Sequence, residues 1–179
     1  MTGLAATDSH PAHVVGTPDG GVLVTSSGQP SLFTYDARLR PRSRTELDGA
    51  PHGLRLSADG GTAVVANTGA GTLDVVAVTS GAVRDRVDVG PGPVQAAVSP
   101  DGRWAWASVA RQVVEVDLAA AAVVERSTVD AAPAQVFLTS TGRLLVAGQG
   151  DEGAPGSTLT VLDASTLERL AEVEVGSRG

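Results

Sequence analysis

Four stretches of the chain carry the same succession of apolar and polar positions. In each, a short mixed run comes first: "HVVGT" (13–17), "GLRLS" (53–57), "QAAVS" (95–99) and "QVFLT" (135–139). A turn rich in Gly and Asp follows. Next comes a run that is apolar or small on both faces: "VLVTS" (22–26), "TAVVA" (62–66), "WAWAS" (104–108) and "LLVAG" (144–148). Such runs predict strands covered on both sides. The third run is "SLFTYD" (31–36), "TLDVVAV" (72–78), "QVVEVD" (112–117) or "TLTVLD" (158–163). The fourth alternates charge with valine, as in "RDRVDV" (84–89) and "AEVEVG" (171–176), and predicts a strand with one wet face. No segment sustains a 3.6-residue apolar period. "DLAAAAVVERS" (117–127) comes nearest, but it stands where the other units turn into their last strand, so it is read as a hairpin.

The period is about forty residues, a length that marks repeat architectures. Pro11, Pro51, Pro93 and Pro133 stand 40, 42 and 40 residues apart, and so do Asp19, Asp59, Asp101 and Thr141 in the turns "TPDGG", "SADGG", "SPDGR" and "TSTGR". A third landmark is "FTYDA", "VVAVT", "EVDLA" and "VLDAS", the last displaced by the insertion "GDEGAPGS" (150–157). Burial is expected to fall from the early strands of each unit to the last. A β-propeller blade requires that gradient, because its first strands lie near a central channel between neighbouring blades and its last strand lies on the rim. The expected fold is all-β: four four-stranded antiparallel blades at 11–48, 51–90, 93–130 and 133–176, within one domain spanning 1–179. Trp104 and Trp106 are expected between blades and largely buried.

Composition narrows the chemistry. Apolar residues make up 42% of the 179 positions but aromatics only 3%, so the core must be built of Val, Ala and Leu. The chain has no cysteine, which removes disulfides, zinc–thiolate sites and thiol catalysis. Its net charge is −7, and all 13 basic residues are arginine. The one basic series, Arg38, Arg40, Arg42 and Arg44, is short and lies in a turn and outer strand, so no sequence-specific nucleic-acid partner is expected. No apolar run reaches the length of a membrane helix, so no membrane span is expected. The opening "MTGLAATDSHPAHVV" has no basic region leading into an apolar stretch; no signal peptide is visible and the compartment is left open.

The pattern from Pro51 to Leu73, "PHGLRLSADGGTAVVANTGAGTL", resembles the YVTN repeat. "HPAHVVGTPDGGVLVT", "PVQAAVSPDGRWAWAS" and "STLTVLDASTLERLAEVEVG" resemble blades of YncE-like proteins. The resemblance covers the chain from about residue 9 onward. It implies a propeller, and since such propellers usually close with about seven or eight blades, it implies an open arc or part of a larger ring. Three resolutions follow: a longer protein, pairing with a second copy through the open blade faces, or closure with four blades. The family is often exported. Functionally the resemblance implies a binding or scaffolding module; the alternative is a lactonase-like hydrolase acting at the channel mouth.

The candidate site residues cluster at one place in the repeat. His10 and His13 flank Pro11, and His52 follows Pro51, each at the connection into a first strand. His13 aligns with Gly53, Gln95 and Gln135; His52 aligns with Ala12, Val94 and Ala134. His10, His13, His52, Gln95 and Gln135 should therefore ring one rim of the channel. Histidine is the commonest metal ligand, so His10, His13 and His52 are the candidate ligands of a divalent metal, with Asp8 the nearest carboxylate. The plainer reading makes them polar residues closing turns. Arg55, Asn67, Gln95 and Gln135 are the candidate ligand-binding residues, taking a small molecule, a metal or a protein at this end. A hydrolase would rest on His52, Arg55 and Asn67, whose plainer roles are lining a hydrated channel and capping a turn. No Ser-His-Asp arrangement, P-loop or dinucleotide fingerprint is present.

Overall fold

The computed structural model describes residues 7, 10–151, 154–155 and 158–175. Among these every regular element is a strand. Four antiparallel sheets follow one another along the chain. The first holds β1 (Pro11–Gly16), β2 (Val22–Ser26), β3 (Ser31–Tyr35) and β4 (Pro41–Glu46). The second holds β5 (Pro51–Leu56), β6 (Thr62–Asn67), β7 (Thr72–Ala77) and β8 (Ala82–Asp88). The third holds β9 (Pro93–Val98), β10 (Trp104–Val109), β11 (Gln112–Asp117) and β12 (Ala122–Thr128). In the fourth, β13 (Pro133–Leu138) and β14 (Arg143–Gly148) are followed by a two-residue ribbon of β15 (Gly150–Asp151) and β16 (Ala154–Pro155). The sheet then resumes with β17 (Thr158–Asp163) and β18 (Arg169–Glu174). That ribbon is the described part of the insertion, whose remaining residues, like Asp8 and Gly176, lie outside the described set. "DLAAAAVVERS" is a hairpin between β11 and β12.

Within each sheet the strands stand in sequence order, each pairing with the next. Sheet-to-sheet contact runs through the first strands: β1 against β5, β5 against β9, and β9 against β13. The result is an open arc of four propeller-type blades.

Side-chain alternation explains the stacking. Each strand offers one face to the preceding blade and the other to the following one. Leu23, Leu32 and Leu47 of the first blade pack on Leu54, Ala63, Val65 and Val76 of the second. Val64, Leu73, Val75 and Val89 pack on Ala96, Ala105, Val114 and Val116 of the third. Ala97, Trp106, Val113 and Val129 pack on Val136, Leu144, Val146 and Leu162 of the fourth. The expected gradient holds at the rim, where β4, β8, β12 and β18 are mostly exposed. It is not monotonic, because the second and third strands are the most buried in the inner blades. Trp106 is buried as expected. Trp104, at the open end of β10, is only half-buried and lies under the Arg103 guanidinium at 4.8 Å.

The turns between first and second strands are built alike. Ser57 Oγ donates to Asp59 Oδ1 (2.5 Å), which also accepts from Gly61 N; Ser99 and Asp101 repeat this, and Thr17 and Asp19 do so in the first blade. Gly20, Gly60, Gly102 and Gly142 hold φ between +69° and +82° at these corners, where a side chain would be strained. In the fourth blade Thr141 replaces the aspartate, and its hydroxyl meets Thr139 Oγ1 at 3.0 Å. The aspartates at the third landmark are turn residues as well: Asp36, Asp117 and Asp163 each accept backbone N–H bonds from the hairpin that follows.

Candidate functional site at the channel mouth

The site is assembled by three adjacent first strands. His13 on β1 is half-buried, with its main-chain N–H held by Thr25 Oγ1 of β2 (3.1 Å). The same Thr25 hydroxyl donates to the main-chain oxygen of His52 at 2.9 Å, tying the first blade to the second. His52 Nδ1 lies 3.2 Å from the Val94 carbonyl oxygen and donates to it, tying the second blade to the third. Gln95 is buried, and its main-chain N–H is held by Ser108 Oγ at 3.0 Å. Gly53 is what permits the approach of β5 to β9: a Cβ there would fall 2.6 Å from the Val94 oxygen and 2.8 Å from the Gln95 Cα.

Three polar side chains from three blades meet on this scaffold. Arg55 Nη1 donates to His13 Nε2 at 3.0 Å and to the Leu54 carbonyl oxygen at 2.9 Å. The Gln95 side-chain amide lies 3.3 Å from His13 Nδ1. These contacts fix the histidine tautomer. A guanidinium only donates, so Nε2 must accept and the ring proton sits on Nδ1. Gln95 is then best served with its amide turned so that Oε1 accepts from Nδ1–H, which also gives that buried oxygen a partner. Burial, then the Arg55 charge, then His52 hold the His13 pKa below the ordinary imidazole range. Burial also lowers that of Arg55. The guanidinium is half-buried and no carboxylate among the described residues pairs with it, so this edge carries an uncompensated positive charge beside a neutral imidazole.

The other sequence candidates lie apart from this trio. His10 is exposed, at φ +64°, and its carbonyl accepts from Ser27 N–H at 3.0 Å, the turn-closing role. Gln135 occupies the aligned position on β13 and is exposed. Asn67 is fully buried and donates Nδ2 to Asp74 Oδ2 (3.2 Å), in a network that includes Thr72 and Arg86 rather than Arg55. No group of three His, Cys, Asp or Glu side chains able to hold a metal ion occurs among the described residues. Both His13 nitrogens and His52 Nδ1 are already engaged, so a metal would have to displace those bonds.

Sequence reasoning missed a feature at the opposite end of the blades. A cavity of about 550 Å³ opens between the third and fourth blades, lined by Trp104, Trp106, Glu115 and Asp163 among others. Glu115 is buried there, and burial pushes its carboxyl up. The nearby Trp106 N–H opposes the shift without closing a well-formed hydrogen bond, and Glu125 adds to it. The signal was an acid set between valines in the middle of an apolar third strand, "QVVEVD".

An arc of sequential four-stranded antiparallel blades, joined through first strands that carry the polar side chains, defines a β-propeller-type protein. Comparison with solved structures agrees: 1236 chains match. One is hydrazine synthase from Kuenenia stuttgartiensis, a β-propeller-containing protein, with a TM-score of 0.82 at 17% identity over 96% of this chain. At that identity the likeness speaks to the fold alone. The chain spans 51% of the hydrazine synthase chain it matches. No protein-family model and no curated protein matches the sequence.

Proposed function

We propose that the chain is a non-catalytic propeller binding module of YVTN/YncE-like type, and that its channel mouth takes a small anionic ligand through Arg55, His13 and Gln95. The proline-started repeat supports the family reading. One observation carries the ligand reading: the half-buried Arg55 guanidinium on the first strands has a neutral imidazole and a carbonyl for partners and no carboxylate among the described residues. A buried cation without a counter-charge is costly, and an incoming carboxylate or phosphate relieves that cost through charge-assisted hydrogen bonds. The shape also supports binding rather than turnover. His13 is held by donors and acceptors on both nitrogens, and Asn67, which a hydrolase site would recruit, is committed to Asp74. The bare faces of the end blades offer a surface to protein partners, including a second copy of the chain.

The test is an NMR titration with inorganic phosphate and with succinate, following the His13 Cε1–H resonance. Saturable shifts are expected in the wild type and not in Arg55→Met. The absence of any saturable shift with either anion would remove the ligand reading.

A further inference from the structure

The cavity between the third and fourth blades is built by departures from the repeat. Backbone bonds at the corners align the positions. Thr17 N–H donates to the Gly21 oxygen, Ser57 N–H to Thr62 and Ser99 N–H to Trp104, so Gly21, Thr62 and Trp104 are equivalent. Two residues further on, the cross-strand pairs facing the following blade are Leu23 with Thr34, Val64 with Val75, and Trp106 with Glu115. The third blade thus sets two indoles and an acid on a wall that the first two make of Gly, Leu, Thr and Val. The opposite wall departs the other way. Val78, Leu118 and Ala164 donate their N–H to the oxygens of Gly61, Arg103 and Gly142, and so are equivalent. Val78 and Leu118 help fill their junctions with the preceding blade, whereas in the last junction only the Ala164 methyl stands there. Enlarged side chains on one wall and a shortened one on the other frame a space of about 550 Å³.

Its lining is aromatic and acidic. Trp104, Trp106, Leu138 and Ala164 supply apolar surface, Glu115 and Asp163 supply carboxyl groups, and no basic residue lines it. Bonds from the Ser165 hydroxyl and main chain hold Asp163 below the usual carboxylate range, so the space keeps a negative charge. Glu115 is only 8% exposed, and the Trp106 N–H beside it is buried and closes no hydrogen bond. Two arginines adjoin the site in sequence without lining it. Arg103 lies over the Trp104 ring at 4.8 Å with Asp117 3.7 Å away, and Arg143 is exposed at the start of β14. A space of about 400 Å³ at the same end, between the first and second blades, has no aromatic lining, and its Arg42 and Asp19 pair with each other at 2.7 Å.

We propose that the cavity between the third and fourth blades binds a small organic cation, its ammonium group set beside Glu115 and against the indoles of Trp104 and Trp106. An ammonium gains from the faces of indoles and, next to a carboxylate, from a charge-assisted hydrogen bond. It also offsets the cost of ionising a buried acid, and the ionised Glu115 can then accept from the Trp106 N–H. Both groups left without partners in the empty cavity are thereby used. The proposal is independent of the anion site at the other end of the blades.

Trp104 and Trp106 are the two tryptophans of the chain, so their emission reports on this cavity. The titrants are n-butylammonium chloride, its neutral counterpart n-butanol, and sodium chloride at matching ionic strength. Butylammonium is expected to shift the emission saturably at millimolar concentration, and the other two are not. Glu115→Gln keeps the side-chain shape and removes the charge; it is expected to weaken binding about tenfold or more. Ala164→Leu restores the side chain that the third blade carries at this position, and is expected to abolish binding. Thermal melting checks that each variant folds; should Ala164→Leu fail to fold, Glu115→Gln decides. No saturable shift with butylammonium, an equal response to n-butanol, unchanged affinity in Glu115→Gln, or undiminished binding in a folded Ala164→Leu would each overturn the proposal.

Discussion

A single hydrogen atom in place of a side chain lets the first strands of the second and third blades meet. Gly53 lies against the Val94 carbonyl and the Gln95 main chain, and neither can retreat, because both belong to β9 of the next blade. We expect Gly53→Ala to destabilise the chain by about 1–3 kcal/mol, the usual cost of overpacking, and to weaken the Val94–His52 bond; urea unfolding measures the first effect. His13 gives a pH signature. Its pKa is depressed in the folded chain, first by burial and then by Arg55. Between that lowered value and the ordinary imidazole pKa of about 6.5, the unfolded chain binds more protons than the folded one. The stability from a neutral His13 is therefore present above about 6.5 and lost as pH falls through the folded value. Arg55→Met should move the His13 pKa only part of the way back, because burial remains; NMR titration of the imidazole reads it. A full return would mean that the charge, and not burial, dominates. That His13, His52 and Gln95 share one rim was legible because the repeat aligned them; Arg55 stood out only as a first-strand arginine grouped with His52 and Asn67, and its bond to His13 was not legible. That Asn67 turns into the blade was not, since a strand-ending Asn reads alike whether it caps a turn or bonds a buried Asp74.

At the scale of the element, the corner between the first two strands of each of the first three blades is a small electrostatic device. A Ser or Thr hydroxyl and a backbone N–H both donate to one aspartate oxygen, and these bonds hold the carboxyl below its usual range. For Asp19, with bonds from Thr17, Arg42 and Gly21, the value falls to about 2. Asp59 and Asp101 are lowered by the same kind of bond. A depressed carboxylate contributes stability that is complete above the unfolded value near 3.9 and lost as pH falls through the folded one. The urea midpoint should therefore fall between pH 4 and about 2, and Asp19→Asn should flatten part of that slope. A wild-type midpoint independent of pH below 4 would show that the corners do not support the blades. These corners were the most legible elements in the chain, because Asp-Gly turns announce themselves by residue type. Trp104 was less so: alternation put it on the same side as Trp106, but not at the end of its strand, where it packs on the edge of the junction with the fourth blade beneath Arg103 and stays half-buried.

Over the whole molecule, stability is distributed along a line of neighbours. Each blade buries its two faces against the blades beside it, so the second and third blades are sealed twice and the first and fourth once, as in other repeat stacks. In the single copy, amide exchange should be slowest in β6, β7, β10 and β11, whose side chains are almost wholly buried, and faster in the end blades. Trp106 lies in the junction that holds the fourth blade. Trp106→Ala should cost about 3–5 kcal/mol, with the loss of exchange protection concentrated in β13, β14 and β17 and little change in β2 and β3. Uniform loss across all four blades would mean that the arc unfolds as one cooperative unit instead of from its ends.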